Sequence, residues 1–209
     1  MRSLLESTLV LSLGFFTALA AIVSPGMSRQ AAKKPVIAVA PVGRTPSEAV
    51  ERLLPVLRET FRCDAIAAPR VSLPASAFDA SRGQSLSSAI LPVLAAAKRP
   101  EWERLLGVAD VDLYVPDLNF VFGEGDTRRG VAIFSLARLH DADEKLVARR
   151  AATEAIHELG HTYALAHCSR SDCVMWFSNT LAESDRKGVR FCPEHEKELA
   201  RNRRLPPRN

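Results

Sequence analysis

The stretch His157-Glu158-Leu159-Gly160-His161-Thr162-Tyr163-Ala164-Leu165-Ala166-His167-Cys168 brings three histidines and a glutamate close together in the chain. On an α-helix, His157 and His161 stand about 40° apart on one face, one turn from each other, so both imidazoles reach a single cation. Glu158 lies about 100° round from His157, too far to be the natural third ligand. It suits the general base that takes a proton from a metal-held water. His167 is out of reach while the helix continues and comes within reach if the chain turns back just after Ala164. Three neutral nitrogen ligands with one open position describe a catalytic zinc site rather than a closed structural one. The chemistry expected is hydrolysis of a peptide bond: the metal polarises the scissile carbonyl, Glu158 deprotonates the attacking water, and the proton passes to the leaving amine.

These residues need a helix that buries its opposite face. A helix from about Glu144 to Leu165 has an apolar stripe of Ala152, Ala155, Ile156, Leu159 and Tyr163, which turns the histidines toward a cleft flanked by Arg150 and Glu154. Upstream, Pro35–Pro41 and Val131–Leu136 read as buried strands, Gly107–Pro116 as a strong strand, Asp64–Leu73 as weakly strand-like, and Leu118–Phe122 as an edge strand closed by Gly123-Glu124-Gly125. Pro46–Phe61 is helical in pattern, with Pro55 expected to kink or shorten it. Gln84–Lys98 is a helix despite Pro92, and Glu194–Arg203 a short terminal helix. Alternation of strands and helices followed by a metal-rich helical end predicts an α/β fold, a mixed twisted sheet packed with helices, in one domain.

The 209 residues, 47% of them apolar, suffice for one substantial core. The net charge of +4 is spread along the chain, and the basic tail from Lys197 to Arg208 has no interleaved aromatics, so no nucleic-acid partner is expected. Residues 1–28 hold an apolar run from about Leu9 to Val23 ending in small residues, which predicts a signal peptide and a secreted or periplasmic location. An uncleaved N-terminal membrane anchor is the alternative. A monomer acting on a peptide or protein substrate is expected.

Cys168, Cys173 and Cys192 lie in the C-terminal quarter beside the histidines, while Cys63 stands alone and reads as a buried small apolar residue. For the three clustered cysteines, a disulfide such as Cys168 to Cys173 competes with a metal site. His140 reads as a loop residue, and Tyr114 and Tyr163 as packing residues.

The string from His157 to His167 matches the metzincin pattern HExxHxxGxxH at every defined position but Ala164. It continues into Cys168, Cys173 and Met175 and on to Cys192-Pro193-Glu194-His195. In this extended form, and in the run from Val108 through Glu124, the chain resembles the archaemetzincin family of zinc metallopeptidases, over residues 35–205. The resemblance implies a catalytic zinc on His157, His161 and His167, Glu158 as base, and Met175 as the apolar floor of a Met-turn. It also implies a second, structural zinc on Cys168, Cys173, Cys192 and His195, the histidine replacing the family's fourth cysteine. Two zinc ions per chain are therefore expected, with the second stabilising the C-terminal segment. Cys3His is an acceptable tetrahedral shell. The other departure, Ala164, stands where glycine normally lets the helix end with positive φ, at a cost of roughly 1 kcal/mol for a residue with a Cβ. That strain keeps open a second reading, a noncatalytic zinc-stabilised peptide-binding module.

Overall fold

The computed structural model describes residues 34–204, so the expected leader lies outside the described residues. Its main sheet has five strands in the order β2-β1-β5-β8-β7. These are β1 (Val36–Pro41), β2 (Asp64–Ala67), β5 (Arg104–Ala109), β7 (Gly123–Asp126) and β8 (Val131–Ser135). The first four in that order run parallel, and β7 pairs antiparallel to β8 at the edge. A small sheet joins β3 (Phe78–Asp79), β4 (Gln84–Leu86) and β6 (Leu113–Tyr114). The helices are α1 (Ser47–Glu51), α2 (Leu54–Phe61), α3 (Ser87–Ala97), α4 (Glu144–Thr162), α5 (Leu181–Arg186) and α6 (Pro193–Asn202).

Both faces of the main sheet are covered, as its near-continuous apolar strands require. With side chains alternating along a strand, Ile37, Val39, Leu106, Val108, Ala132 and Phe134 pack with Leu57, Phe61 and α4's Ala155, Ile156 and Leu159. Their neighbours Ala38, Ala40, Leu105, Val131 and Ile133 form a second core with Ile90, Leu91 and Leu94 of α3. The α/β class and the mixed sheet are as the sequence predicts.

Several boundaries differ. The helix expected over Pro46–Phe61 is two helices, because proline has no N–H to donate and its ring crowds the carbonyl four residues back. Pro55 accordingly sits in the first turn of α2. The strand expected over Gly107–Pro116 is β5 and β6 in different sheets. The edge strand is β7, beginning at Gly123 rather than spanning Leu118–Phe122, and the latter stretch keeps only a bridge from Val121 to Leu113. Helix α4 stops at Thr162 rather than Leu165.

Arg150 does not flank the cleft. It is buried at 4% exposure, with Nε and Nη2 donating to the two Asp185 oxygens at 2.6 and 2.7 Å and Nη1 reaching Asp141 at 3.3 Å. A cation on a half-apolar helix face is stable there because two carboxylates meet it. The guanidinium's hydrogen bonds hold the Asp185 carboxyl below its ordinary value of 3.8, so this contribution to stability is full above that pH and is lost as pH falls through the lowered folded value. Asp185→Asn should destabilise the protein by roughly 1–3 kcal/mol at neutral pH. In thermal melts the difference from the parent chain should shrink steadily below pH 4.

Candidate metal centre

Helix α4 starts from Asp143, whose side chain accepts the Lys145 N–H at 2.9 Å, and carries His157, Glu158 and His161 on its last turns. The Nδ1 atoms of His157 and His161 donate to the carbonyls of Val174 at 2.8 Å and Leu165 at 2.9 Å. A carbonyl can only accept, so each ring holds its proton on Nδ1 and presents a lone pair at Nε2. Those two Nε2 atoms are 3.1 Å apart. Neither can donate to the other, so the contact is repulsive unless a cation lies between them. Two imidazole nitrogens on one tetrahedral zinc would be roughly 3.3 Å apart, so the donor set fits.

His167 arrives as the spacing requires. After Tyr163, Ala164 adopts φ 60°, and the N–H groups of Ala164 and Leu165 donate back to His161 at 2.9 Å and Gly160 at 3.2 Å. This left-handed closure satisfies the last carbonyls of α4 and swings the chain round. The His167 ring lies 5.4 Å from that of His157 and 4.9 Å from that of His161. One donor nitrogen from each of the three lies within 4.8 Å of the others. Burial favours the neutral, metal-binding form of the two helix histidines, holding His157 well below 6.5 and bringing His161 down to about 4, and partial desolvation lowers the more exposed His167 as well. Burial also pushes the Glu158 carboxyl well above the usual range, with the charges of Glu154 and Glu124 adding to the rise and Lys187 opposing it.

These groups form the floor of a cavity of about 450 Å³. One wall is the stretch from Leu118 to Gly125 and the other runs from Phe177 to Asn179. The β7 wall lies against α4 because two of its residues have no side chain. A Cβ at Gly123 would come within 2.5 Å of Glu158 Cγ, and one at Gly125 within 2.8 Å of His161 Cβ. Among the residues added by the structure, Glu124, Phe177 and Lys187 have no local motif to announce them. The Gly-x-Gly alternation was the available signal for the close approach, although read as a strand end it gave none.

A second group gathers Cys168, Cys173, Cys192 and His195. Cys168 Sγ is 3.9 Å from Cys192 Sγ, and His195 Nδ1 lies 3.2 Å from Cys192 Sγ and 3.8 Å from Cys173 Sγ. His195 Nε2 donates to the Ala166 carbonyl at 3.1 Å, leaving Nδ1 as a lone pair aimed at the sulfurs. All four cysteines of the chain are free thiols, against the disulfide alternative. Burial pushes the Cys173 thiol up to about 12, a cost that a bound cation reverses. Sulfurs on one zinc stand roughly 3.8 Å apart, so this donor set also fits.

The remaining candidates pack as expected. Met175 is fully buried, and a Cβ on Gly160 would come within 2.5 Å of its Sδ, so it lies directly against α4. Cys63 is buried, His140 pairs with Asp110 on the surface, and Tyr163 stacks with Phe61 beneath Arg104.

The model of "Peptidase family M54" matches residues 47–201. The chain belongs to peptidase family M54. Among similar proteins is the archaemetzincin of Methanopyrus kandleri, 45% identical over 133 residues, covering 64% of this chain and 75% of that protein. That of Pyrococcus furiosus is 38% identical over 170 residues, covering 75% of this chain and 88% of its own length. The crystal structure of the Methanopyrus kandleri archaemetzincin superposes with a TM-score of 0.76 at 38% identity, over 86% of this chain and 100% of that one. The Archaeoglobus fulgidus archaemetzincin, solved with malonate, gives 0.70 at 36% identity, over 78% and 99%. The M54 chain is thus a zinc metallopeptidase with the archaemetzincin fold, acting on peptide or protein substrates.

The expected secreted or periplasmic location is corrected by the same comparisons: the matched relatives are archaemetzincins of archaea, and nothing in these matches speaks for a signal peptide. An apolar run ending in small residues is a compositional signal alone. Among the described residues no helix is long and apolar enough to cross a membrane.

The positive φ at Ala164 is a local strain that glycine would remove. Ala164→Gly should raise stability by up to about 1 kcal/mol, the relief being partly offset by glycine's greater freedom in the unfolded chain. Gly123→Ala should instead destabilise and cut activity by displacing β7 from Glu158, both read by melting and peptide turnover.

Proposed function

We propose that His157, His161 and His167 hold the catalytic zinc, that Glu158 is the general base, and that Cys168, Cys173, Cys192 and His195 hold a second, structural zinc. The observation that carries this reading is the pair of unprotonated Nε2 atoms facing each other at 3.1 Å, with both Nδ1 protons committed to carbonyls. Zinc, when bound there, supplies a Lewis acid for the water and the scissile carbonyl.

An extended peptide adds along β7, the edge strand of the main sheet, through main-chain hydrogen bonds. This lays its carbonyls over the floor where Glu158 stands. Glu158 takes a proton from the attacking water as the oxygen adds to the carbonyl carbon, then gives it to the nitrogen as the C–N bond breaks. Met175, packed against Gly160, provides an apolar floor beneath the histidines. Residues 35–205 are the peptidase unit, and one chain supplies every group named.

Glu158→Gln should keep its zinc and lose turnover by roughly 10²- to 10⁴-fold, measured by metal analysis alongside peptide hydrolysis. Turnover retained in that variant rejects Glu158 as the base. Metal analysis of the parent chain should give two zinc ions, one of them readily chelated with loss of activity. Cys173→Ser should drop the ratio to one and lower the melting temperature by roughly 10 °C, as loss of several kcal/mol does in a chain of this size. A parent chain with a single zinc overturns the second site.

A further inference from the structure

We propose that the Lys187 ammonium is a carboxylate receptor in the floor of the catalytic pocket, reading an acidic side chain or a free C-terminal carboxylate of the peptide beside the scissile bond. This rests on the reading of that pocket as the catalytic site.

Lys187 ends α5 and is 1% exposed, a burial lysine almost never reaches without a partner. Its partner is Glu154, also 1% exposed, whose Oε1 accepts from Nζ at 3.2 Å and from Ser184 Oγ at 2.6 Å. An ammonium has three N–H donors. Among the described residues Glu154 is the one acceptor it meets, so two donors have no partner from the protein where the residue lines the cavity. A buried ion pair with a single hydrogen bond poorly offsets the desolvation of its charges, so the arrangement makes better physical sense with a further acceptor.

The location says which acceptor. Lys187 and Glu154 line the same cavity as His157, Glu158, His161 and His167, and Lys187 is the one lysine or arginine among the lining residues. Glu154 precedes His157 by one turn on the same helix face, so the ammonium it holds stands about 5 Å along the axis from the histidines. That offset suits a group on the residue next to the scissile bond rather than the scissile carbonyl itself. A carboxylate gives charge-assisted bonds to the spare donors where an amide gives weaker ones. Lys187 is also held ready: Arg149 Nη2 donates to its backbone carbonyl at 2.6 Å. Glu154 serves as its counterion while the pocket holds no substrate.

The test uses the zinc-loaded full chain and two pairs of peptides. One pair differs only by Glu or Gln at a residue flanking the cleaved bond, the other only by a free or amidated C-terminus. In at least one pair the carboxylate form should be favoured about tenfold or more in kcat/KM, mainly through KM, and the responding pair identifies the source. Lys187→Met should bring that ratio close to one, Lys187→Arg should keep most of it, and Glu154→Gln should raise it by removing the competing carboxylate. Ratios near one for both pairs in the parent chain overturn the proposal. So does an unchanged ratio in Lys187→Met, because a merely structural lysine scales both peptides together. If Lys187→Met does not fold, a ratio kept in Lys187→Arg and raised in Glu154→Gln supports the proposal, and a ratio that fails to rise in Glu154→Gln overturns it. Anisotropy of the labelled peptides on Glu158→Gln protein, with and without Lys187→Met, reads the same preference as binding. A binding preference without hydrolysis by the parent chain rejects the peptidase assignment of the pocket and leaves the receptor standing.

Discussion

Two imidazole nitrogens with lone pairs facing at 3.1 Å do not stay together by their own attraction. They are held by the carbonyls on the far side of each ring, from Leu165 and Val174, and neither carbonyl belongs to the helix that carries the histidines. Leu165 lies just past the left-handed residue Ala164. Val174 lies between Cys173 and Met175, its N–H bonded to the Arg190 carbonyl at 2.8 Å. The orientation of the rings is therefore set by the chain that follows α4, in the way outer partners fix a ligand's tautomer and direction.

The cysteine cluster controls that following chain. His195 Nε2 bonds the Ala166 carbonyl, the Cys168 N–H bonds the Met175 carbonyl at 2.8 Å, and the Cys192 N–H reaches Cys173 Sγ at 3.3 Å. Residues 165–168 and 173–175 are thus tied to each other and to α6 through the second donor set. His167 and Cys168 are neighbours that serve different clusters, so a shift in one is a shift in the other. The second donor set thus holds His167 beside the first where the helix no longer does so.

What the sequence revealed was what is local. The positive φ at Ala164 and the gathering of Cys168, Cys173, Cys192 and His195 were legible through the family resemblance, while the spacing of His157, Glu158 and His161 follows from helical periodicity and ligand chemistry over a short span. The apolar stripe of α4 and the two-sided strands were legible for the same reason. Arg150 was misread because its helix face was visible while its partner Asp185, far along the chain, was not. The edge strand was misplaced because Leu118–Phe122 is the more apolar run. The position of β7 is decided by contact with α4, which admits Gly123 and Gly125 and would exclude side chains there. Lys187 is a single lysine in a polar stretch, and only the fold puts it beside Glu154.

The polar side of α4 shows how one helix can carry so much buried charge and still pack. Arg150, Glu154, His157 and His161 occur at intervals of about one turn, a stripe along one face. Each is met by an acceptor or donor from the chain after the helix: Asp185 for Arg150, Ser184 and Lys187 for Glu154, the carbonyl of Val174 for His157, and that of Leu165 for His161. A buried polar group is costly when it is unpaired, so this stripe is stable only with the C-terminal segment folded over it. The half of α4 that packs on the sheet is secured by apolar burial, and the half that carries the candidate metal ligands is secured by residues 165–195. Loss of that segment's anchoring should therefore disturb the candidate metal site before it disturbs the sheet.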